Sequence, residues 1–416
     1  MWTRDPDVLV VGAGPVGLFA AHRIAELGMS VVVADKSRRA AEHSYALGLH
    51  PATLELLAET GLADPIIEGG YRVDRLAFYD GQDRRAELAL AGLPFAHPYV
   101  LVLPQSRLEE VLLERLKQQG VKVLRSHRAS SVRGAGERVE VKIDELDRVS
   151  AGYATATMEW VVKRTRAMKP RFVVGADGHR SFVRELLGIE FDEAGRSDLY
   201  AVFEFDADAR PEREVKVLLH EGGADVLWPL PDGAFRWSFQ LDEQAEPKFG
   251  ASGSELLKQI DGQSFPQLGE GHLRTLIAER APWFAAEPRN LRWSVKVRFE
   301  RRLARRFGEG HIWLAGDAAH LAGPIGVHSM NVGLRESRDL AARIADVLKD
   351  GAEMGTLTTY ELERQAEWRA LLALDEAQQE GSALPGWLAA HEQKISECLP
   401  ATGEQLDLLK GKIVLK

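Results

Sequence analysis

The chain has 416 residues, with 53 Lys and Arg against 62 Asp and Glu and a formal net charge of −9. This length is enough for roughly two or three domains and a large buried cofactor. The excess of acidic residues argues against nucleic acid as the main partner. The single cysteine, Cys398, excludes an internal disulfide and a cysteine-based metal site, and it fits a reducing compartment.

The sequence also bears on where the protein resides. It has no apolar stretch of about 18 residues or more, so no transmembrane segment is predicted. The first predicted strand begins too soon after Met1 to leave room for a cleavable signal segment. We therefore expect a cytoplasmic protein. The sequence carries no indication of the oligomeric state.

The first predicted elements form a strand, helix and strand unit. An apolar strand at 8–11 runs into the turn Gly12-Ala13-Gly14-Pro15-Val16-Gly17, and a helical stretch to Leu27 precedes a second strand that ends at Asp35. The glycines allow close approach to a pyrophosphate, and the helix N-terminus presents free N–H groups to its charge. A carboxylate at Asp35 accepts from a ribose and repels a 2′-phosphate. The unit therefore predicts FAD or NAD rather than NADP.

The next stretch alternates helical and extended patterns. Apolar residues at helical spacing predict helices over 51–58 and 108–117, each followed by a glycine. Several short strands are predicted between Val121 and Val174, because apolar and charged residues alternate there. We interpret these strands as an extension of the cofactor domain's sheet rather than as a separate domain.

Residues 199–241 predict an antiparallel sheet with one aromatic face, because aromatic residues recur with a period of two. Such an insert between α/β segments is expected to form a second domain across the cofactor domain, and clefts between domains are favoured ligand sites. We expect most of the aromatic residues to fill a core, with a lining of the cleft as the alternative. They are Phe203, Phe205, Phe235, Trp237 and Phe239.

The chain then returns to the α/β pattern. Residues 312–315 predict a buried strand and 331–348 a helix, so the cofactor domain is expected to be discontinuous. The predicted division assigns 1–70, 101–190 and 291–348 to the cofactor domain. It assigns 71–100 and 191–290 to the substrate domain, and 349–416 to a C-terminal helical region in which no chemistry is identified.

Two more strands run into acidic turns. The first is Phe172-Val173-Val174-Gly175-Ala176-Asp177-Gly178, and the second is Ile312-Trp313-Leu314-Ala315-Gly316-Asp317, followed by Pro324, Gly326, Met330 and Asn331. Together with the first unit, and with pieces at 49–54, 103–105 and 228–233, these motifs resemble the FAD-dependent monooxygenases of the p-hydroxybenzoate hydroxylase type, the group A aromatic hydroxylases. The resemblance spans most of residues 7–345.

The resemblance implies a Rossmann-like α/β domain that binds FAD and an antiparallel β-sheet substrate domain. It assigns each part of FAD to residues of this chain. The pyrophosphate falls to Gly12, Gly14, Pro15, Val16 and Gly17, the adenosine ribose to Asp35 and Lys36, and the adenine to the backbone of Ala129. Gln105 contacts the ribityl and pyrophosphate region, Gly316 and Asp317 the ribityl hydroxyls, and Asp177 lies behind the flavin. Pro324 and Gly326 lie beside the flavin ring, with the Met330 and Asn331 amides directed at its N1 and C2 carbonyl.

The resemblance also implies the activity. NAD(P)H binds transiently as co-substrate, and a flavin C4a-hydroperoxide inserts oxygen into an aromatic or other electron-rich small molecule. A basic cluster is able to attract the NAD(P)H phosphates, with a solvated charged edge as the alternative; it comprises Arg298, Arg301, Arg302, Arg305 and Arg306. No metal site is predicted, because the histidines lack ligand spacing.

Some positions depart from the family pattern. Val327-His328-Ser329 stands where the family usually has Gly-Gln-Gly, which predicts a stiffer backbone beside the flavin. His328 is the one candidate catalytic residue, as a base or a hydrogen-bonding partner of the flavin, with a packed histidine as the alternative. Ser329 is a candidate helix cap.

Two further departures concern charge. Tyr45 replaces a family arginine, with Lys36 and Arg38 as possible substitutes, and Glu336 and Asp339 replace the commoner Asp and Asn. Two alternative functions stay open at this point. One is a flavoprotein of the same fold with other redox chemistry, such as an isoprenoid double-bond reductase, and the other is a flavin-binding protein without catalysis.

Overall fold

The computed structural model describes residues 5–39, 48–151, 157–221, 223–242, 257–260, 263–266, 268–374 and 386–416. Tyr45 lies outside the described residues. The strands, in chain order, are β1 (Val8–Val11), β2 (Val31–Ala34), β3 (Gly48–Leu49), β4 (Tyr71–Val73), β5 (Arg75–Asp80), β6 (Asp83–Ala89), β7 (Val100–Val102), β8 (Lys122–Leu124), β9 (His127–Ala135), β10 (Arg138–Ala151), β11 (Thr157–Met168), β12 (Phe172–Gly175), β13 (Phe191–Glu193), β14 (Asp198–Ala207), β15 (Glu214–His220), β16 (Gly223–Pro229), β17 (Phe235–Leu241), β18 (Leu257–Ile260), β19 (Gln263–Pro266), β20 (Pro288–Phe299), β21 (Arg302–Ala304), β22 (Gly308–Glu309), β23 (Ile312–Leu314), β24 (His320–Leu321) and β25 (Val414–Leu415).

The helices are α1 (Pro15–Glu26), α2 (Pro51–Glu59), α3 (Ala63–Glu68), α4 (Gln105–Gln118), α5 (Phe182–Leu186), α6 (Glu270–Arg280), α7 (His328–Lys349), α8 (Gly355–Leu371), α9 (Trp387–Ala390), α10 (Glu392–Cys398) and α11 (Glu404–Lys410). A short 3₁₀ turn covers Gly316–Ala318. Within the described residues, none of these helices combines the length and the apolar character needed to span a membrane.

A six-stranded sheet in the order β22-β23-β12-β1-β2-β8 forms the centre of the first lobe. Strand β1 runs parallel to β2 and β12, and β12 runs parallel to β23. All four residues of β1 are buried, as its continuous apolar run predicts for a strand covered on both faces. The predicted strand, helix and strand unit is therefore confirmed. The carboxyl ends of β1, β2, β12 and β23 lie along one edge of this sheet.

The strands between Val121 and Val174 differ in part from the prediction of one extended sheet. Strands β8 and β12 join the six-stranded sheet, but β9, β10 and β11 form a separate three-stranded antiparallel sheet. The prediction was wrong for these three strands because their alternating pattern indicates a half-exposed sheet. A strand at the centre of a parallel sheet has apolar residues on both faces instead.

The second lobe is built on an eight-stranded sheet in the order β20-β14-β17-β16-β15-β5-β6-β25. It is antiparallel as predicted, except that β15 pairs with β5 in parallel. Strand β20 belongs entirely to this sheet, so a boundary at residue 290 divides one of its strands. The five aromatic residues expected to fill a core do so, in a second core beneath α6, and do not line the cleft; they are Phe203, Phe205, Phe235, Trp237 and Phe239. The opposite face of the sheet, with Tyr200, Val202, Val226 and Trp228, packs into the core shared with the first lobe.

The C-terminal region after residue 349 contacts both lobes. Helix α8 buries Tyr360 and Trp368 against the first lobe, and the Tyr360 hydroxyl donates to the Leu314 carbonyl. Strand β25 adds an antiparallel edge strand beside β6 of the second lobe. This region is largely helical as predicted, and β25 was not anticipated.

Candidate cofactor and substrate site

The turn between β1 and α1 has the geometry of a phosphate-binding turn. Gly12 has a φ of +110°, and a Cβ there would lie 2.1 Å from the Ala176 carbonyl oxygen. A Cβ on Gly17 would lie 2.1 Å from the Gly12 carbonyl oxygen, so only glycine fits either position. A Cβ on Gly14 would meet no described atom within 4 Å. The turn is thus tightly packed behind and open in front of the α1 N-terminus, where Pro15 occupies the first helical position.

Asp35 lies at the end of β2, beside this turn. Its carboxylate accepts from the Ala13 and Ser37 amides, each at 2.6 Å. Each oxygen therefore keeps a lone pair for a further donor, such as a ribose hydroxyl. The start of β9 is attached at the same place, because the His127 amide donates to the Asp35 carbonyl at 2.7 Å. Lys36 is exposed, and the predicted adenine neighbour Ala129 is a buried residue of β9.

The carboxylate of Asp177, at the turn after β12, contacts the start of the next helix. Its carboxylate accepts from the Ser181 hydroxyl and from the Phe182 and Val183 amides, the amides at 2.8 and 3.2 Å. These bonds hold the start of α5, for which Ser181 is the N-cap. Burial raises the pKa of Asp177, partly against these hydrogen bonds. The turn lies next to the cofactor turn, but the carboxylate is engaged by its own helix, so a direct contact with FAD stays a prediction.

Asp317 is open by comparison. Its half-buried carboxylate has no hydrogen-bond partner among the described residues, and burial raises its pKa. The preceding Gly316 has a φ of +64°, and a Cβ there would lie 3.0 Å from the Val16 side chain. A Cβ on Gly333 of α7 would likewise lie 2.8 Å from Val16 and 3.1 Å from the Gly316 Cα. The Asp317 turn is therefore lodged between the starts of α1 and α7, where a ligand on α1 would reach it.

A buried carboxylate holds this turn from behind. Glu336 of α7 accepts from the Gly316 amide at 3.1 Å, from His320 Nε2 at 2.7 Å and from Trp368 Nε1 at 2.8 Å. The His320 ring stacks on Trp368 with centroids 3.7 Å apart. Burial raises the pKa of Glu336, but His320 and the other donors outweigh it and lower the pKa overall. The replacement of Asp by Glu, unexplained by the sequence, supplies the reach for these three contacts.

The segment from Pro324 to Asn331 includes a strained residue. Val327 has φ +53° and ψ +35°, a left-handed conformation that costs a β-branched residue about 1–2 kcal/mol. Val327 is the N-cap of α7, which begins at His328, three residues before the predicted start at 331. Met330 therefore falls in the first turn, where amides lack helical acceptors, whereas α-helical geometry directs the Asn331 amide to the Val327 carbonyl. Ser329 does not cap the helix; its hydroxyl accepts from the Ala322 amide at 3.1 Å.

Side chains from distant parts of the chain hold this segment. The Asn331 amide group donates to the Gly48 and Val327 carbonyls and accepts from the His50 amide. His50 Nε2 lies 2.7 Å from the Gly326 carbonyl, to which it donates. A Cβ on Gly326 would lie 2.3 Å from the Glu397 carbonyl of α10, so Gly326 is enclosed on this side. Pro324 next to it is half-buried.

His328 is buried beneath this segment, with an exposed fraction of 3%. Its Nε2 lies 3.3 Å from the Glu397 carbonyl, and burial lowers its pKa to about 4. Donation through Nε2 leaves Nδ1 as an acceptor, and Nδ1 has no partner among the described residues. The lowered pKa favours the neutral form of His328 near pH 7. A catalytic role for it stays a prediction.

A small cavity lies beside Pro324 and His328. It measures about 20 Å³, which is room for a water molecule rather than an aromatic ring. Arg301 borders it and pairs with Glu397 at 3.0 Å and with Asp198 at 3.1 Å. Three other members of the basic cluster are also paired: Arg302 with Glu300, Arg305 with Asp192, and Arg306 with Glu309. These pairs fit the alternative of a charged edge better than a free phosphate site.

Sequence reasoning missed several residues of this site. Glu336 and His50 are two of them. By contrast, Gln105 was predicted; it is the first residue of α4, and its side-chain amide donates to Glu109 at 2.7 Å. Glu336 was detectable, because Val332, Glu336 and Leu340 recur every four residues and place an acid within an apolar stripe. No local signal identifies His50, whose partners are more than 270 residues away.

The family model for the FAD binding domain matches residues 5–375 of the chain. The chain belongs to this family. FAD is therefore its cofactor, and the fit of the residues agrees: an open turn at the α1 N-terminus, a ribose-side carboxylate and an unpaired Asp317. Within the described residues, no cluster of three or more His, Cys, Asp or Glu could hold a metal ion.

Curated relatives carry monooxygenase names. The chain is 32% identical over 363 residues to 6-methylpretetramide 4-monooxygenase of Streptomyces rimosus, covering 86% of this chain and 59% of that protein. It is 26% identical over 423 residues to pentachlorophenol 4-monooxygenase of Sphingobium chlorophenolicum, covering 95% of this chain and 71% of that protein. The chain thus spans only part of the length of these relatives, under two thirds of the first.

Solved structures share the fold. The p-nitrophenol 4-monooxygenase of Pseudomonas putida DLL-E4 has a TM-score of 0.73 at 20% identity, covering 99% of this chain and 97% of that one. Aklavinone-11 hydroxylase, solved with FAD and aklavinone, has a TM-score of 0.64 at 23% identity, covering 90% of this chain and 68% of that one. The chain therefore shares its α/β fold with a second β-sheet lobe with these two proteins.

Proposed function

We propose that this chain is an NAD(P)H-dependent FAD monooxygenase that inserts oxygen into an aromatic or other electron-rich small molecule. One observation carries the proposal. The Gly12–Gly17 turn, Asp35 and the distant Asp317 lie at one edge of one sheet, and the Asp317 carboxylate there is open. This edge continues to the Pro324–Asn331 segment. The names of the relatives support the reaction type.

The proposal gives the chain's residues these tasks. The α1 N-terminus holds the pyrophosphate, Asp35 the ribose, Asp317 the ribityl hydroxyls and the Met330 amide the electron-rich edge of the flavin. FAD, when bound, supplies the redox chemistry that activates oxygen. Glu336 keeps the Gly316 amide fixed, so that the Asp317 turn is preorganised. The second lobe excludes water from the reacting centre.

The proposal also includes the lobes and the substrate surface. The FAD lobe comprises 1–70, 101–190 and 300–348, and the substrate lobe comprises 71–100 and 191–299, with the boundary moved to the end of β20. The substrate lies at the junction of the two lobes near Trp228, since the sheet face that carries Trp228 turns toward the FAD lobe. The Trp228 ring lies 3.6 Å from the Cβ position of Gly48, which joins the two lobes at this point. A cytoplasmic location completes the proposal, and the lone Cys398 supports it.

The test is turnover by the purified full chain. We expect a yellow protein that consumes NADH or NADPH with oxygen, faster when a suitable phenol, quinone or polyketide-like aromatic is added, and a product heavier by one oxygen. An Asp317→Asn variant serves as the matched control and should lose most of this activity together with bound FAD. Anaerobic reduction of an alkene would favour a double-bond reductase instead. A flavin that NAD(P)H does not reduce within seconds would favour a non-catalytic protein.

A further inference from the structure

Arg125 follows β8 in a loop that is attached to the end of β2. The Asp35 amide donates to the Leu124 carbonyl at 2.9 Å, and the His127 amide donates to the Asp35 carbonyl at 2.7 Å. The Ser126 amide donates to the Ser37 carbonyl at 3.1 Å. Because these backbone bonds lie on both sides of Arg125, its Cα is held in a defined place beside Asp35.

The Arg125 guanidinium lies between the phosphate-binding turn and the ribose-side carboxylate. One terminal nitrogen is 3.7 Å from Asp35 Oδ1, and the other donates to the Ala13 carbonyl over a long 3.4 Å. The side chain is half-buried, with 22% of its surface exposed. A guanidinium has five N–H donors, and within the described part of the chain only this long hydrogen bond uses one of them. The Asp35 carboxylate already accepts two backbone amides, so Arg125 is not required to satisfy it.

The charges at this place favour a phosphate. The diphosphate of FAD carries two negative charges, and the α1 N-terminus supplies only a partial positive charge. Lys36, Arg38 and Arg39 are all exposed, whereas Arg125 is anchored by its neighbours and faces the turn. A positioned guanidinium is the side chain best suited to bind phosphate oxygens.

We infer that Arg125 binds the adenosine diphosphate half of FAD, with its free N–H groups donating to a phosphate oxygen next to the ribose. The inference rests on the proposed FAD site and adds a residue to it. It places the main cationic contact of the cofactor after β8 and not on the β2 side of the turn.

The test compares ligands that contain this half of FAD with one that does not. Arg125→Ala should weaken FAD binding by about ten- to hundredfold, as expected for a lost charge-assisted hydrogen bond, and should weaken competition by ADP to a similar degree. Binding of FMN, which lacks the adenosine half, should change less than about twofold. FAD affinity of the variant should also depend less steeply on salt, because one phosphate contact is lost. Arg133→Ala, an exposed arginine further along β9, is the matched control and should leave all these values unchanged.

Three results would overturn the inference: unchanged FAD and ADP affinity in Arg125→Ala, equal weakening of FAD and FMN, or loss of the Arg125 effect in an Asp35→Asn background. The last result would mean that Arg125 acts only by positioning Asp35. The melting temperature of the FAD-free variant should match the unsubstituted chain, which separates binding from folding. Absence of FAD binding by the unsubstituted chain would instead contradict the proposed function.

Discussion

The turns at Asp177 and Asp317 come after neighbouring parallel strands and look alike in sequence, yet they differ in what their carboxylates contact. Asp177 accepts three hydrogen bonds from the start of α5, whereas Asp317 has none among the described residues. The difference comes from the next element of the chain in each case. A short helix capped by Ser181 turns back on Asp177, while Asp317 enters a 3₁₀ turn that Glu336 holds through the Gly316 amide. An acid after a parallel strand is thus a ligand candidate only where no local helix uses it.

The largest expected effect on the free energy of unfolding comes from Glu336, which holds the Asp317 turn. Glu336→Ala leaves the Gly316 amide, His320 and the Trp368 indole without their buried acceptor. We expect the free energy of unfolding to fall by about 3–5 kcal/mol, measured by urea denaturation of the FAD-free chain. Glu336→Gln, which keeps the shape, should cost less than half as much. Equal losses would mean that packing rather than hydrogen bonding holds the turn.

The next effect concerns the pH dependence of the free energy of unfolding, to which His328 contributes. Because the pKa of His328 is lowered from 6.5 to about 4, the unfolded chain binds a proton more readily than the folded one. Neutral His328 therefore contributes to the free energy of unfolding. This contribution is fully present above pH 6.5 and is lost as the pH falls toward 4, by roughly 3 kcal/mol in total. His328→Gln should flatten this dependence, although burial lowers the pKa of His50 in the same direction.

The Asp177 turn should contribute to stability rather than to FAD binding. Asp177→Ala removes the acceptor of three hydrogen bonds at the α5 start, so we expect a loss of about 2–3 kcal/mol in unfolding free energy. The dissociation constant for FAD should change by less than about tenfold, since the carboxylate is engaged by its own helix. A large loss of FAD affinity with unchanged stability would remove the distinction between the two turns.

The Asp317 turn should contribute to FAD binding rather than to stability. Asp317→Asn should weaken FAD binding by about ten- to hundredfold, through loss of a charged acceptor for the ribityl hydroxyls. Because the folded pKa of Asp317 is raised, its ionisation destabilises the FAD-free chain above that pKa. The variant should therefore be at least as stable at pH 7, and the difference should shrink as the pH falls through the raised pKa. Reduced stability at pH 7 would contradict the open carboxylate.

The smallest effect is expected at Val327. Val327→Gly relieves a left-handed conformation worth about 1–2 kcal/mol but removes buried methyl groups worth about as much. The net change in unfolding free energy should lie within about 1 kcal/mol of zero. Val332→Gly, at an ordinary helical position of α7 with a similarly buried side chain, should cost about 3 kcal/mol. Equal losses in the two variants would show that Val327 is not strained.

Local patterns predicted the parts of the molecule that short-range physics determines. The unit from β1 to β2 and the aromatic second core result from hydrophobic period and turn chemistry, and both were confirmed. The hydrogen bonds of Asp177 with the start of α5 were not anticipated, although Ser181 is a recognisable cap signal four residues later. The contacts of His50 with Gly326 and Asn331 join segments far apart in the chain, and no local pattern encodes them. The left-handed Val327 is likewise imposed by tertiary packing, against its own preference.

The C-terminal segment limits how far the two lobes can separate. The Glu397 carbonyl of α10 touches Gly326 on the FAD lobe, while β25 is hydrogen-bonded to β6 on the other lobe. A rigid rotation of one lobe away from the other would have to peel off β25 or lift α10. For the proposed function, we expect substrate to enter and product to leave by local loop displacement, because the contacts of α10 and β25 oppose a hinge motion of the lobes.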